Sequence, residues 1–335
     1  MKMDIRLLCI VALSSALFPI TTFATTIATG YYDNIHVVCG SGSVYEKWEG
    51  DGALGEVSSF SNVKAVAAGN EFVVALKNDG TIWKWDSGSS PAQVSGHTGV
   101  VAIAANSSDT NYLVLKSDGT VWSGSSTLTQ VSGLSGIIAI ARGYLFSLVL
   151  KGDGTVWGWG ENSLGQLGDG SNTDRGSPVQ ASSISGVTDI AAGNVHSIAL
   201  KSDGTVWAWG SNGSGRLGDG TTTNRNTPVQ ASSVSGISAV SAGYNHSLAL
   251  KNDGTALSWG ENGEGQLGDG TSTDRHTAVQ VSSITGITAV AAGDADQSLA
   301  VKSDGTVYRW GYDYDLGIAY SPTAIGSICS GSTCN

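Results

Sequence analysis

Short apolar stretches recur along the chain, and polar turns rich in Gly, Asp and Thr separate them. In one typical unit, the apolar part of residues 184–192 forms a first strand, and the alternating segment 196–201 forms a second. The Asp203-Gly204 turn that follows predicts a hairpin, because such a turn needs positive φ and Gly adopts it at little cost. Residues 205–209 then form a third strand.

A fourth strand of the same unit begins at Pro228, after a long loop. Proline suits an outermost strand, where its missing N–H breaks no ladder hydrogen bond. The unit recurs, and Lys-Ser-Asp-Gly-Thr-Val-Trp occurs at both 116–122 and 201–207. One shared turn glycine marks each copy: Gly42, Gly80, Gly119, Gly154, Gly204, Gly254 and Gly305.

Repeated four-stranded antiparallel units predict an all-β protein, a seven-bladed β-propeller. A solenoid would need capping units of different composition, whereas the two ends of this chain look complementary. Residues 27–48 supply three strands, and segment 321–325 is similar to the fourth-strand segment 227–231. We therefore expect the N- and C-terminal segments to complete one blade together and so to close the ring.

The N-terminus has the pattern of an export signal. Lys2 and Arg6 precede an apolar run, and residues 22–24 place small side chains where a signal peptidase recognises them. The run contains Ser, Thr and Pro and is short for a membrane span. These features predict a signal peptide over residues 1–24, a single propeller domain over 25–335, and a secreted or periplasmic protein without membrane insertion.

Charge and cysteine content refine this picture. The net charge of −11 argues against binding nucleic acid or anionic membranes through bulk charge. In an oxidising compartment a disulfide is expected among the cysteines that follow the signal. Cys329 and Cys334 would close a small C-terminal loop, whereas Cys39 would join the two ends if it paired with either of them. The sequence leaves these pairings open.

Three motifs together resemble the repeat of the regulator of chromosome condensation family. They are Ala-Gly-x-x-His-Ser, Asp-Gly-Thr-Val-Trp-x-Trp-Gly and Asn-x-x-Gly-Gln-Leu-Gly, and the resemblance is strongest over residues 151–311. It implies a seven-bladed propeller. The guanine nucleotide exchange known in that family would need a nuclear or cytoplasmic address, which an export signal contradicts. None of the residues of that activity can be carried over to this chain.

Repeated aromatic and histidine positions favour structural roles. The ten tryptophans lie on or beside third strands, so packing between blades is favoured over sugar stacking. His36, His196 and His246 occupy one repeat position and are expected to hold a turn by hydrogen bonding. With no catalytic constellation outside the repeat background, the chain is predicted not to be an enzyme and to need no cofactor.

Three loops resemble calcium-binding loops in the spacing of their oxygen ligands: residues 169–174, 219–224 and 269–274. They lack a terminal bidentate Glu. An arginine follows each of them and would compensate the carboxylates. We therefore interpret them as structural turns and predict no metal site.

One face of the propeller is the predicted binding site. Loops between first and second strands (A–B tips) and between third and fourth strands (C–D loops) share a face, and the tips diverge between copies. The candidate residues are Tyr31, Tyr32, Phe72, Tyr144, Phe146, Tyr244, Asp294, Asp296, Tyr312, Asp313, Tyr314 and Asp315. Aromatic anchors with acidic neighbours predict a monomeric scaffold that binds a basic protein partner. A carbohydrate-binding propeller and a cell-surface structural element are the alternatives.

Overall fold

The computed structural model of the protein describes residues 26–29, 35–38, 42–47, 55–69, 71–106, 110–293, 296–313 and 317–327. Within these ranges the chain forms a β-propeller of four-stranded antiparallel blades, and seven such sheets are present. No helix in these ranges is long and apolar enough to span a membrane. The predicted signal peptide and Cys39, Cys329 and Cys334 lie outside the described residues.

Each blade is a run of four consecutive strands, numbered here along the chain. Blade 1 contains β1 (Thr26–Thr29), β2 (Ile35–Val38), β3 (Val44–Lys47) and β4 (Gly55–Glu56). Blade 2 contains β5 (Val63–Ala68), β6 (Phe72–Lys77), β7 (Ile82–Asp86) and β8 (Ala92–Gln93). Blade 3 contains β9 (Val100–Ala105), β10 (Tyr112–Lys116), β11 (Val121–Gly124) and β12 (Thr129–Gln130).

The remaining four blades have longer outer strands. Blade 4 contains β13 (Ile137–Arg142), β14 (Phe146–Lys151), β15 (Val156–Gly160) and β16 (Arg175–Gln180). Blade 5 contains β17 (Val187–Ala192), β18 (His196–Lys201), β19 (Val206–Gly210) and β20 (Arg225–Gln230). Blade 6 contains β21 (Ile237–Ala242), β22 (His246–Lys251), β23 (Ala256–Gly260) and β24 (Arg275–Gln280). Blade 7 contains β25 (Ile287–Ala292), β26 (Gln297–Lys302), β27 (Thr306–Gly311) and β28 (Ala319–Ser327).

The Asp-Gly-Thr motif builds the hairpin between the second and third strands. In blade 5, Gly204 has φ of +78°, a conformation that glycine adopts without strain. Asp203 Oδ1 accepts hydrogen bonds from Thr205 N at 3.0 Å and from Thr205 Oγ1 at 2.6 Å. Those bonds with Thr205 also lower the pKa of Asp203. The indole N–H of Trp207 donates to the same Thr205 Oγ1. One motif therefore holds both the turn and the orientation of the indole ring that follows it.

The fourth strand of blade 5 begins earlier than the sequence pattern predicts. It starts at Arg225 rather than Pro228, because Asp219 binds the guanidinium of Arg225 and Arg225 pairs with Gly210 at the end of the third strand. Pro228 lies inside this strand, which is the outermost of its sheet as predicted.

The expected sharing of one blade between the two chain ends is wrong. The C-terminal strand β28 pairs with β27 of its own blade, and blade 1 has its own fourth strand at Gly55–Glu56. Segment 321–325 is similar to 227–231 because both belong to outermost strands of complete blades. The innermost strands of blades 1 and 7 contact each other as members of two separate sheets.

The hydrophobic core lies between adjacent blades. One cluster joins Phe146 and Leu148 of blade 4 to Ile190 and Trp209 of blade 5. The same arrangement recurs between blades 5 and 6 around Trp259. Each blade therefore depends on its neighbours to bury its apolar side chains.

Candidate protein-binding face

The A–B tips and C–D loops lie at one end of the blades, and together they form what we call the loop face. Backbone hydrogen bonds join the start of each long C–D loop to the tip of its own blade. Glu161 N donates to Leu145 O at 2.9 Å, and Ser211 N donates to Val195 O at 2.9 Å. The two sets of loops therefore form one continuous surface.

Tips of successive blades are also bonded to one another. Tyr144 N donates to Asn194 O, Asn194 N to Gly243 O, and Tyr244 N to Gly293 O, at 3.1 to 3.2 Å. A Cβ at Gly193 would lie 2.4 Å from both Gly243 O and the His196 ring, so only glycine permits this approach. The inner rim of the loop face in blades 4 to 7 is thus a connected backbone collar.

The long C–D loops of blades 4, 5 and 6 are organised around an asparagine. Asn162 Nδ2 donates to Asp169 Oδ1, Ser171 O, Ser171 Oγ and Thr173 O at 3.1 to 3.3 Å. The amide nitrogen therefore lies at the centre of the oxygen cluster in the loop whose spacing resembles a calcium-binding loop. Asn212 and Asn262 repeat the arrangement, so in all three loops an amide nitrogen bonds the oxygens around it.

Arginine completes the charge balance of these loops. Arg175 Nη2 lies 2.6 Å from Asp169 Oδ2, and the equivalent distance from Arg225 to Asp219 is 2.8 Å. Burial alone would raise the pKa of Asp169, but hydrogen bonds from Ser171 and Arg175 hold it below its ordinary value. The carboxylates inside the loops are consequently engaged with their own loop residues.

Four predicted binding residues reach the loop face with part of their surface open. Tyr244 is 37% exposed, and Tyr144 is half-buried on the same rim. Asp296 and Tyr312 are also half-buried, and Asp296 Oδ1 accepts a hydrogen bond from Gln266 Nε2 at 3.1 Å. These residues come from blades 4, 6 and 7, so the structure brings them to one side of the face.

Three predicted binding residues are buried, and their assignment to the surface is wrong. Phe72 and Phe146 are the first residues of second strands, and their rings pack on Gly69 and Gly143. His196 has the same position in blade 5. Asp313 is 2% exposed because it forms a buried ion pair with Arg309.

Five other predicted residues lie outside the described part of the chain: Tyr31, Tyr32, Asp294, Tyr314 and Asp315. Leu145 was not among the predicted binding residues, yet it is 46% exposed on the collar with a φ of +56°. A left-handed backbone is uncommon for leucine. Its place in a divergent tip beside Tyr144 was the available signal.

Histidines link blades instead of holding turns within them. His196 Nε2 lies 3.0 Å from Ser247 Oγ, and His246 Nε2 lies 2.8 Å from Ser298 Oγ, each in the next blade. Burial lowers the pKa of both rings, to about 3 for His246, so both are neutral at pH 7. His36 does not share their position, since it lies two residues nearer its hairpin and faces Glu46.

The expected inter-blade packing of tryptophans is confirmed for the second Trp of the motif. Trp209 is fully buried, and its Nε1 donates to Gln166 O of blade 4 at 2.9 Å. Ser197 Oγ donates to the same carbonyl at 2.7 Å. Trp207, the first of the pair, is half-buried under Lys201.

Arg216 is a further feature of the loop face, and the sequence pattern alone does not indicate it. It stands where the other two long loops carry Gln166 and Gln266, and it is 6% exposed. Its Nη1 donates to Asn245 Oδ1, and Asn245 Nδ2 donates to Glu261 Oε2 at 2.6 Å. Burial lowers the pKa of Arg216 while nearby carboxylates, Glu261 foremost, oppose that shift. The network connects blades 5 and 6 across the rim.

Comparison with known proteins places these features in a family. A family model described as the RCC1-like domain matches residues 55–325. No curated protein sequence matched the chain.

Several solved structures share the fold. Yeast RCC1 (Prp20), solved bound to Kap60, is 22% identical with a TM-score of 0.70, covering 80% of this chain and 76% of that one. Human WBSCR16 is 18% identical with a TM-score of 0.74, covering 82% and 84%. The CRINKLY WD40 ectodomain of the Arabidopsis thaliana receptor kinase ACR4 is 16% identical with a TM-score of 0.57, covering 89% and 96%. Identities this low show likeness of fold alone.

Proposed function

Because the chain belongs to the RCC1-like domain family, we propose that it is an exported, non-enzymatic scaffold that binds a protein on its loop face. The observation that carries the proposal is the collar in blades 4 to 7. Its backbone is locked by inter-blade hydrogen bonds, yet it presents the exposed side chains of Leu145 and Tyr244. Apolar and aromatic side chains on a rigid support are typical anchors of protein interfaces.

A protein partner also agrees with the related structures and with the charge of this chain. The yeast RCC1 structure was solved with the protein Kap60, and a second study of Prp20p concerns its binding to Gsp1p and histones. Those partners belong to that protein. For this chain, a net charge of −11 favours a basic protein partner, since complementary charge raises association rates and selects partners.

The proposal includes a closed ring of seven blades. The innermost strands of successive blades contact each other along the chain, and β1 also contacts β25. A closed ring, in which every blade packs between two neighbours, would hold the loops of all blades at fixed relative positions. Such a platform suits a scaffold that recognises a folded partner.

Export through the N-terminal signal is a separate part of the proposal. We expect cleavage after Ala24, and N-terminal sequencing of the protein recovered from the periplasm or the medium should begin at Thr25. Mass analysis with and without reduction would show whether Cys329 and Cys334 form the C-terminal disulfide. An intact Met1 in the recovered protein would contradict export by this route.

Affinity capture with matched baits tests the binding function. The baits are the chain from Thr25, a loop-face variant and a variant of the opposite, hairpin face. The loop-face variant carries Tyr144→Ala, Leu145→Asn and Tyr244→Ala, with Asn chosen because it tolerates positive φ. The hairpin-face variant carries Asn78→Ala, Ser117→Ala and Ser202→Ala, all at exposed positions.

A protein retained by the native bait and by the hairpin-face variant, but lost by the loop-face variant, is the expected result. Equal retention on all three baits would contradict the assignment of the face. Retention of no protein, together with saturable binding on a glycan array, would favour the carbohydrate-binding alternative. Retention of no protein and no glycan would favour a structural role.

A further inference from the structure

A two-donor cradle for a backbone carbonyl recurs between the blades. In blade 5, Ser197 Oγ and Trp209 Nε1 both donate to Gln166 O, which the C–D loop of blade 4 supplies. In blade 6, Ser247 Oγ and Trp259 Nε1 donate to Arg216 O, both at 2.8 Å. In blade 7, Ser298 Oγ and Trp310 Nε1 donate to Gln266 O at 2.8 and 2.9 Å.

The segment that fills each cradle has constant chemistry. The residue whose carbonyl is bound is followed by a leucine and a glycine, as in Gln166-Leu167-Gly168. Leu167 is fully buried. A Cβ on Gly168 would lie 2.8 Å from Trp209 Nε1, so the third position must be glycine. The occupant is therefore a turn of the form x-Leu-Gly.

Blade 4 has the same two donors without the turn that fills them. Ser147 pairs with Trp159 across the hairpin, as Ser197 pairs with Trp209. Blade 3 would have to supply the turn, but only residues 125–128 separate the end of β11 at Gly124 from the start of β12 at Thr129, and they contain no Leu-Gly pair.

Neither donor of blade 4 binds a backbone carbonyl within the described residues. Trp159 is only half-buried, unlike Trp209, and its Nε1 makes no hydrogen bond within the part of the chain that the structure describes. Ser147 is fully buried, and its Oγ accepts a hydrogen bond from Arg142 Nη1 at 2.6 Å. A hydroxyl that accepts in this way still has its own proton to donate.

Blade 2 also follows a blade with a short C–D loop, but its tryptophan has a side-chain acceptor that blade 4 lacks. In blade 2, Trp85 Nε1 donates to Glu46 Oε2 of blade 1 at 2.9 Å. Blade 3 carries Ser123 at the position of Glu46, two residues beyond the hairpin valine, and its side chain is much shorter. A second copy of the chain would not supply the turn either, because its own x-Leu-Gly turns are already seated between its blades.

We propose that Ser147 and Trp159 form a binding site for an x-Leu-Gly turn of a partner protein, whose backbone carbonyl accepts from both side chains. The proposal rests on the proposed protein-binding function and names the chemistry of the partner segment. Ser147 follows the collar residue Leu145 by two positions, and Trp159 precedes Glu161, whose N donates to Leu145 O, so one partner would contact both the site and the collar.

The test uses a synthetic peptide with the sequence of residues 161–174, titrated into the chain from Thr25. The readout is the indole ¹⁵N–¹H resonance of Trp159, assigned by its loss in Trp159→Phe. A saturable shift of that resonance is expected. Ser147→Ala should weaken binding about tenfold, the effect of one lost hydrogen bond to a buried group.

A matched peptide keeps the test independent of any change to the protein. The peptide with Gly168→Ala should bind at least about tenfold more weakly, since the added Cβ would meet the indole. Equal binding of the two peptides, or no shift of the Trp159 resonance at millimolar peptide, would overturn the proposal. Equal binding of an acidic peptide without Leu-Gly would overturn the turn chemistry.

A graft separates this inference from the proposed function. Replacing residues 125–128 by residues 161–174 should seat a turn on Trp159, move its indole resonance and abolish peptide binding. Loss of the captured partner in this graft is the expected result. A partner that is lost by the loop-face variant but retained by both the graft and Ser147→Ala would leave the binding function standing and refute this site.

Discussion

At the residue scale, the histidines between blades couple packing to pH. His246 is neutral in the folded protein because burial, and then the charge of Arg216, lower its pKa to about 3. An unfolded chain would take up a proton on this residue near pH 6.5. The unfolded state therefore binds more protons between pH 6.5 and about 3, and stability falls as the pH drops through that range.

Replacing this histidine by glutamine should weaken that pH dependence. Gln297 occupies the equivalent strand position in blade 7, so His246→Gln uses a side chain the fold already accepts there. Urea unfolding at pH 7.5 and at pH 4.5 would measure this. The free energy of unfolding should fall less between these pH values in the variant than in the native chain. The exposed His276→Gln is the control. An unchanged difference between the two pH values in His246→Gln would contradict the account.

Asp189 is expected to give the opposite dependence of stability on pH. It lies on the innermost strand of blade 5, partly accessible yet deep in the molecule, and burial raises its pKa to about 7 against the hydrogen bonds from Ile190 N and Val240 N. Its folded pKa lies above the unfolded value, so the stability present at low pH is lost as the pH rises through 7.

Asp189→Asn should therefore raise the melting temperature at pH 8 and change it little at pH 4. The exposed Asp86→Asn serves as the matched control and should show no such difference. A variant that is less stable than the native chain at pH 8 would show that the carboxylate is needed in its ionised form. Sequence alone cannot find this residue, because its surroundings include Val240 of the next blade.

At the element scale, the long C–D loops depend on one amide each. Asn262 Nδ2 donates to Asp269, Thr271 and Thr273, and its Oδ1 accepts from Leu267 N, all inside one loop. The turn held in this way also supplies the carbonyl that Trp310 binds. Loss of the amide would therefore also weaken the hydrogen bond of Trp310 in the next blade.

Asn262→Ala is expected to destabilise the protein by about 3 kcal/mol, because several buried polar groups lose their partner together. Chemical denaturation would measure this, with the exposed Ser272→Ala of the same loop as a control expected near zero. Similar small effects of both substitutions would show that the loop is held by other contacts.

Local elements are those that the sequence predicts most closely. Second strands and Asp-Gly-Thr hairpins are local, so alternation and turn chemistry predicted them closely, as in His196–Lys201. The start of the fourth strand at Arg225 depends on a bond to Asp219, which no local pattern reveals. Phe72 and Phe146 looked like tip residues because aromatic character alone does not distinguish a strand's first buried position from a loop.

At the scale of the whole molecule, repeat counting predicted the propeller, but the contents of the loop face depend on neighbouring blades. Trp159 and Trp209 share a motif and differ in burial because blade 3 and blade 4 have C–D loops of different length. The likeness of the two chain ends suggested a shared blade, whereas strand pairing makes every blade complete. Similarity between segments therefore identifies equivalent positions and does not establish which strands pair.

The central proposal is that the partner binds on the loop face, through the collar. Hydrogen–deuterium exchange of the chain from Thr25, alone and with the captured partner, would measure it directly. We predict slower exchange in the collar segments 143–145, 193–195 and 243–245, and unchanged exchange in hairpin segments such as 202–204. Slower exchange confined to the hairpins, with the collar unaffected, would contradict a partner bound on the loop face.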